Sequence, residues 1–238
     1  MAAEPDAVAV VVPAHNESAV LPACLNSLLA ATRHCPAPVT VVVVLDDCSD
    51  GSAAPAGQYG EDVHFIDVDK RNVGAARAAG FGYARALMRS VPDQTWYATT
   101  DADTQVPPDW LSRQLESGAD VVLGVVSVSQ WRHFPLEVAD RYQRRYESDE
   151  PGHHHVHGAN MAFCAAAYWD AGGFAALASG EDVDLVQRLE AAGHRVFWDD
   201  ELSVATSDRS TGRAPGGFAD HLAEVSRELS DDVTDEAS

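Results

Sequence analysis

Five short apolar runs, separated by stretches of helical character, set the limits on what this chain can become. Val8–Val12, Val39–Leu45, Val63–Val68, Trp96–Thr100 and Val121–Val128 are rich in β-branched and aromatic residues. That is the composition of strands buried on both faces, as in a parallel sheet covered by helices. Between the first two runs, Leu21, Leu25, Leu28 and Leu29 recur at helical spacing behind the polar turn His15–Ser18, where Asn16 or Ser18 could cap the helix. Asn72-Val73-Gly74 opens a second, Ala-rich helix running to about Arg89. A third, from about Asp109 to Glu116, carries Trp110, Leu111, Gln114 and Leu115 on one face. Strands alternating with helices at this rhythm predict an α/β fold, with a Rossmann-like, mostly parallel, doubly wound central sheet flanked by helices.

Past Ser129 the character changes. Glu137–Glu147 reads as an amphipathic, Arg-rich helix, and His153-His154-His155-Val156-His157 as a polar loop leading to Gly158-Ala159-Asn160. After the turn at Gly172-Gly173-Phe174, a helix is expected over about Asp182–Ala192 with Val183, Val186 and Leu189 at helical spacing, then a strand over His194–Trp198. Phe218, Leu222, Val225 and Leu229 repeat at helical intervals. With no internal repeat and no clean linker, residues 1–230 read as one domain, and 231–238 as a disordered acidic tail.

Chemistry concentrates where apolar runs stop. Asp101-Ala102-Asp103 follows the fourth run, and Asp46-Asp47-Cys48-Ser49-Asp50-Gly51-Ser52 follows the second. Side chains at the C-terminal ends of parallel strands face the crevice in which open α/β sheets bind ligands. Two carboxylates one residue apart repel each other, and burial makes this worse unless a cation neutralises them. Their hard oxygens suit Mg²⁺ or Mn²⁺, with substrate phosphates completing the shell. The plain alternative is a solvated loop that happens to hold two acids. Arg77, in the first turn of the second helix, makes that helix terminus a candidate diphosphate site.

Charge narrows the partners. The chain has 37 acidic and 16 basic residues, a formal net charge of −21. Such a field opposes nucleic acid and anionic lipid, and it repels a phosphorylated substrate unless a metal and local arginines invert the potential at the site. Cys24, Cys35, Cys48 and Cys164 form no Cys-x-x-Cys pair, which fits a reducing compartment. No apolar run approaches the length of a membrane span. The expectation is a soluble cytoplasmic protein.

Taken together and in order, these motifs resemble glycosyltransferase family 2, inverting enzymes of GT-A fold that use nucleotide-sugar donors. Val12-Pro13-Ala14-His15-Asn16-Glu17 is similar to the opening Val-Pro-x-x-Asn-Glu. The Asp46–Ser52 loop is similar to Asp-Asp-Gly-Ser-x-Asp, with Cys48 in place of the usual Gly. Asn72-Val73-Gly74 through Gly80 loosely matches the segment that follows. Asp101-Ala102-Asp103 matches the metal-binding Asp-x-Asp, and Gly180-Glu181-Asp182, with Leu185 and Arg188, the acceptor-side Glu-Asp helix. The resemblance covers about residues 8–210.

The resemblance implies a metal-dependent transfer of a sugar from a UDP- or GDP-sugar to an acceptor hydroxyl with inversion. The nucleotide-binding half would be about residues 8–128 and the acceptor-side half about 129–230. Pro13, His15 and Glu17 would line the nucleotide pocket, and Asp46 or Asp47 would accept a hydrogen bond from the base. Gly74 and Arg77 would lie at the diphosphate, and Asp103, helped by Asp101 across Ala102, would hold Mg²⁺ or Mn²⁺. Asp182, beside Glu181, would take the acceptor proton. Two departures stand out. Cys164-Ala165 occupies the place of a frequent arginine pair, and Thr206-Ser207-Asp208-Arg209 lies where a metal-binding histidine is often found. His153, His155 and His157 share one face of an extended segment and are substitute ligands, with an exposed polar loop as the plain reading. Ser207, Arg209 and Arg213 are candidates to clamp a phosphate.

A phosphohydrolase of the haloacid dehalogenase class also places Asp-x-Asp after a strand, but it needs a downstream lysine, and Lys70, the single lysine, lies upstream. A Rossmann dehydrogenase needs a glycine-rich turn after the first strand, and Pro13–Ser18 contains no glycine. The alternative that survives is a non-catalytic GT-A module that binds nucleotide or partners without turnover.

Overall fold

The computed structural model describes residues 5–88, 94–128, 131, 133–135, 137–142, 155–209 and 225–228. Seven strands form one sheet: β1 (Ala7–Ala14), β2 (Val39–Asp46), β3 (Val63–Val68), β4 (Thr95–Thr99), β5 (Val121–Val128), β6 (Met161–Cys164) and β7 (Val196–Thr206). The helices are α1 (Leu21–Thr32), α2 (Val73–Met88), α3 (Trp110–Glu116), α4 (Ala165–Asp170) and α5 (Glu181–Ala191). The five expected strands are present within a residue or two at each end. The Asp182–Ala192 helix forms one residue earlier, as α5.

The strand order is β3-β2-β1-β4-β6-β5-β7. The chain runs outward from β1 through β2 to β3, then returns to add β4 on the other side of β1, so β1 and β4 flank a topological switch point. β6 is the antiparallel exception, paired with both β4 and β5. Its first residue, Met161, pairs with Thr99 at the end of β4. Because it runs backwards, it begins where its neighbours finish. Residues 155–160 are thereby delivered to the same edge as the loops after β1, β2, β4 and β7.

Two apolar layers cover the sheet. Leu21, Leu25 and Leu28 of α1 pack with Trp110 and Leu111 of α3 on one face. On the other, Phe81 of α2 meets Tyr97, Phe163, Tyr168 and Phe174 in an aromatic cluster, with ring centroids 4.7 to 6.3 Å from Phe81. Leu185, Val186 and Leu189 of α5 join this layer. Val183, in the first turn of α5, is 41% exposed and lies at the cleft.

Neither Ser18 nor Asn16 caps α1. The helix starts at Leu21 behind Val20 with no side-chain cap, and Pro22 sits in its first turn, where a missing N–H costs nothing. Both candidates are used elsewhere, in the loops described below. The strand expected over His194–Trp198 is longer, because β7 continues past a register shift opposite Gly124 and Val125. Buried Asn160 pins that irregularity. Its Nδ2 donates to the Val125 and Leu202 carbonyls at 2.8 and 2.7 Å, and its Oδ1 accepts from Trp110 Nε1 at 2.8 Å.

Only residues 137–142 of the Glu137–Glu147 helix are described, and they are helical; of the C-terminal apolar repeat, Val225 is described and buried. Phe218, Leu222, Leu229, His153, Arg213 and the 231–238 tail lie outside the described residues. Among the described residues, no helix is long and apolar enough to cross a membrane. Asn160→Ala would leave two carbonyls and an indole N–H buried without partners, at about 1–3 kcal/mol each. The expected outcome in urea unfolding is a loss of about 3 kcal/mol or more with an unchanged m-value.

Candidate active site

The ends of β1, β2, β4 and β7, the approach to β6 and the N-terminus of α5 enclose a cleft of about 1290 Å³. One wall is made by the loops after β1 and β2, which hold each other in shape. His15 donates from Nδ1 to the Asp46 carbonyl at 2.5 Å and accepts at Nε2 from Asn16 Nδ2 at 3.2 Å, so one tautomer serves both. The Glu17 and Ser18 N–H groups donate to Ser52 Oγ and Asp50 Oδ2, each at 2.9 Å. Ser52 Oγ donates in turn to Asp50 Oδ1 at 2.6 Å, which holds the Asp50 carboxyl well below the usual carboxylate range. Cys48 bridges the loops as well: its thiol donates to the Ala14 carbonyl and accepts from the Asn16 N–H, both at 3.3 Å.

Three non-glycine residues among those described have positive φ: Asn16 at 54°, Asp47 at 51° and Arg71 at 47°. All three line the cleft. Backbone strain of this kind, about 1–3 kcal/mol per residue, persists only where surrounding contacts over-determine it. Asp46 supplies many of those contacts. Its carboxylate accepts the N–H groups of Lys70, Arg71 and Asn72 at 2.6, 2.9 and 2.9 Å, which leaves little capacity for a ligand. Asp47 is paired with Arg71 at 2.7 Å at the cleft surface.

The opposite wall is an acid centre. Asp101, Asp103, Glu17, Glu181 and Asp182 face the cleft with Arg77 and Arg209 among them. Asp101 is half-exposed and accepts from Arg77 Nη2 at 2.7 Å. Asp103 is 6% exposed at its side chain and lies 3.2 Å from Arg209 Nη2, while Arg209 Nη1 donates to Glu17 Oε1 at 2.7 Å. Burial pushes the Asp103 carboxyl up to about 6; Arg209 opposes the shift, and Asp101 and Glu17 add to it. Glu181 is raised as well, by burial against the pull of Arg77. Asp182, half-exposed in the first turn of α5, accepts from the Gly158 N–H at 2.8 Å.

The donor set fits a hard divalent cation. Asp101 and Asp103 present carboxylate oxygens to a cleft lined by seven carboxylates and three arginines. Among the described residues no three His, Cys, Asp or Glu side chains form a ready cage; Asp101 turns to Arg77 and Asp103 to Arg209. His155 and His157 line the cleft with their rings stacked at 6.0 Å.

Of the residues expected at the site, Pro13, His15, Glu17, Asp46, Asp47, Arg77, Asp101, Ala102, Asp103, Glu181 and Asp182 all line this cleft. Gly74 does not. A Cβ there would collide with the Ala175 carbonyl and the Glu181 side chain, so this glycine lets α2 and the start of α5 approach each other. Arg77 lines the cleft, and its guanidinium, 2% exposed, pairs with Asp101 and Glu181. Of the candidates Ser207, Arg209 and Arg213, Arg209 lines the cleft, and no spacing in the sequence distinguishes it from Arg213.

Residues 9–172 match the family described as Glycosyl transferase family 2. The chain is 36% identical over 121 residues to the undecaprenyl-phosphate 4-deoxy-4-formamido-L-arabinose transferase of Pectobacterium carotovorum, covering 48% of this chain and 35% of that protein. It is 34% identical over 147 residues to the protein of that name from Pseudomonas aeruginosa, covering 57% and 41%. The chain thus spans well under half the length of the curated relatives it matches. Among solved structures, the mannosyltransferase PcManGT of Pyrobaculum calidifontis, in complex with GDP-Man and Mn²⁺, superposes with a TM-score of 0.65 at 20% identity, covering 89% of this chain and 59% of that one. TarS 1-349 of S. aureus, in complex with UDP-GlcNAc, gives 0.62 at 18%, covering 92% and 64%. These likenesses establish a GT-A-like fold, and the family match covers more than half of the sequence. The chain belongs to glycosyl transferase family 2.

Proposed function

We propose that this protein transfers a sugar from a nucleoside-diphosphate donor to an acceptor hydroxyl, in a single displacement with inversion. One observation carries the reading: the acid pair ending β4 and the half-exposed carboxylate of Asp182 open on the same cleft, at the switch point of the sheet. The preset loops after β1 and β2 would hold the nucleoside, with Asp47, less occupied than Asp46, as the acceptor for a base N–H. UDP- and GDP-sugars are the donor classes to try first, since the solved relatives named above carry UDP-GlcNAc and GDP-Man.

A diphosphate entering a cleft with this excess of carboxylates is repelled, and binds more weakly, until a cation offsets the charge. Asp101 and Asp103 would hold Mg²⁺ or Mn²⁺, which when bound supplies positive charge against the departing nucleoside diphosphate. Asp182 would take the acceptor proton; the Gly158 N–H on Oδ2 and the Val183 N–H on Oδ1, each at 2.8 Å, fix its plane. A positioned general base of this kind contributes about 10²–10⁴-fold. A lipid phosphate is the second acceptor class, favoured by the relatives' names and by Leu177 and Val183, which are 39% and 41% exposed. A phosphate oxygen is already ionised and needs no base.

Three outcomes are expected. UDP or GDP should raise the melting temperature several degrees more with Mn²⁺ than without it; equal shifts would remove the metal from the reading. Asp182→Asn should leave nucleotide affinity within about threefold and reduce transfer to a hydroxyl by about 10²-fold or more. Retained transfer to a short polyprenyl phosphate would identify the second acceptor class. The third concerns pH. The folded-state pKa of Asp103 lies above the ordinary value, so its ionisation weakens the cation-free fold as pH rises through about 6. Asp103→Asn should therefore be the more stable protein at pH 7.5 without metal, by about 2 kcal/mol, and no more stable than wild type below about pH 4. It should also lose the Mn²⁺ response, as read by thermal melts across pH.

A further inference from the structure

The sequence placed Arg77 at the donor diphosphate, yet its surroundings describe a different task. The side chain is 2% exposed and lies inside the protein beneath the cleft floor. Nη2 donates to Asp101 Oδ1 at 2.7 Å, and Nη1 to Glu181 Oε1 at 2.5 Å. The Phe174 ring lies 5.4 Å from its Cζ. The backbone of Gly158 rests against the guanidinium so closely that a Cβ on that residue would meet Nη1, Nη2 and Cζ. The N–H of the same Gly158 donates to Asp182 Oδ2 at 2.8 Å. Two carboxylates, a ring and the Gly158 backbone thus crowd the fork on several sides.

We infer that Arg77 is a positioning residue: one buried guanidinium sets the carboxylate of Asp101, at the end of β4, and, through Glu181 and Gly158, the carboxylate of Asp182, at the start of α5. This rests on the transfer reading above, and it adds that the two halves of the reaction centre share a single support. The planar fork matters. Arg presents two parallel edges to two acids at once, whereas an ammonium is a point charge on a flexible stem. A guanidinium stays protonated at any working pH. The cation is therefore permanent, and no acid of the three can be relaxed without disturbing the others.

Arg77→Lys keeps charge and bulk but can serve only one acid. Its expected result is a fall in kcat of about 10²-fold, the cost of misplacing reacting groups by about an ångström. Metal-free affinity for UDP or GDP, whichever binds wild type more tightly, should stay within about threefold. A tenfold loss of that affinity would overturn the proposal and make Arg77 a phosphate ligand. Hydrogen exchange supplies a readout that does not depend on turnover: the Gly158 and Val183 amides, both bonded to Asp182, should exchange at least tenfold faster in Arg77→Lys, with the β1 amides unchanged. Uniformly faster exchange, β1 included, would mean a merely structural role and refute positioning. Glu181→Gln, which keeps the shape and weakens the second anchor, should reproduce the local exchange effect; wild-type exchange in that variant would break the proposed link to α5. If wild type itself shows no transfer with any donor, the transfer reading fails, while the exchange outcomes still decide the role of Arg77.

Discussion

A cation buried between carboxylates is the constraint on which the rest of this molecule turns. Taking a guanidinium and two acids out of water costs several kcal/mol per ion, and the attraction among them offsets this only when geometry is good and the remaining protons find partners. At Arg77 the geometry with Asp101 and Glu181 is close, yet its Nε has no hydrogen-bond partner among the described residues. Such a triad is weak evidence for stability and better evidence for specificity. It ties the end of β4, an interior strand at the switch point, to α5 through Arg77 and Glu181, which lie 104 residues apart in sequence, and so fixes how the sheet and the α5 side of the cleft meet. Arg209 does the same at the next position, drawing the segment after β7 onto Asp103 and Glu17.

Much of the frame was legible because periodic burial leaves a strong imprint. Val8–Val12, Val39–Leu45 and Val121–Val128 could be nothing but interior strands, and the leucines of α1 needed a sheet to cover. β6 escaped because Met161–Cys164 is four residues long and continues directly into the Ala-rich α4; a run that short has no period of its own. The caps of α1 were misread for a related reason. Asn16 and Ser18 are good capping residues, but the loop after β2 competes for them through Ser49 and Asp50, and no local rule weighs a partner thirty residues distant.

Within the site, residue identities were readable and orientations were not. Asp-x-Asp after a strand and Glu-Asp at a helix start specify which atoms can reach a cleft. They do not specify which acid a given arginine will choose. Asp46 and Asp47 stand side by side, yet one is consumed by three backbone N–H groups and the other left at the surface. Arg77 and Arg71 lie six residues apart, yet one is buried and the other exposed. These outcomes depend on where the backbone of a second loop passes, which is settled by the tertiary fold alone. Sugar transfer, the proposed chemistry, rests on the family match and on the shared cleft.

The backward course of β6 has an evolutionary consequence. Strand β5 reaches the cleft edge at Val128 and β6 starts from the same edge at Met161, so the connection between them departs from and returns to one edge of the sheet. Lengthening such an excursion changes the closure entropy only logarithmically, and the sheet, whose register is fixed on either side, need not respond. On the transfer reading proposed above, insertion and deletion at this single locus would remodel the acceptor side. The catalytic frame would persist beneath it.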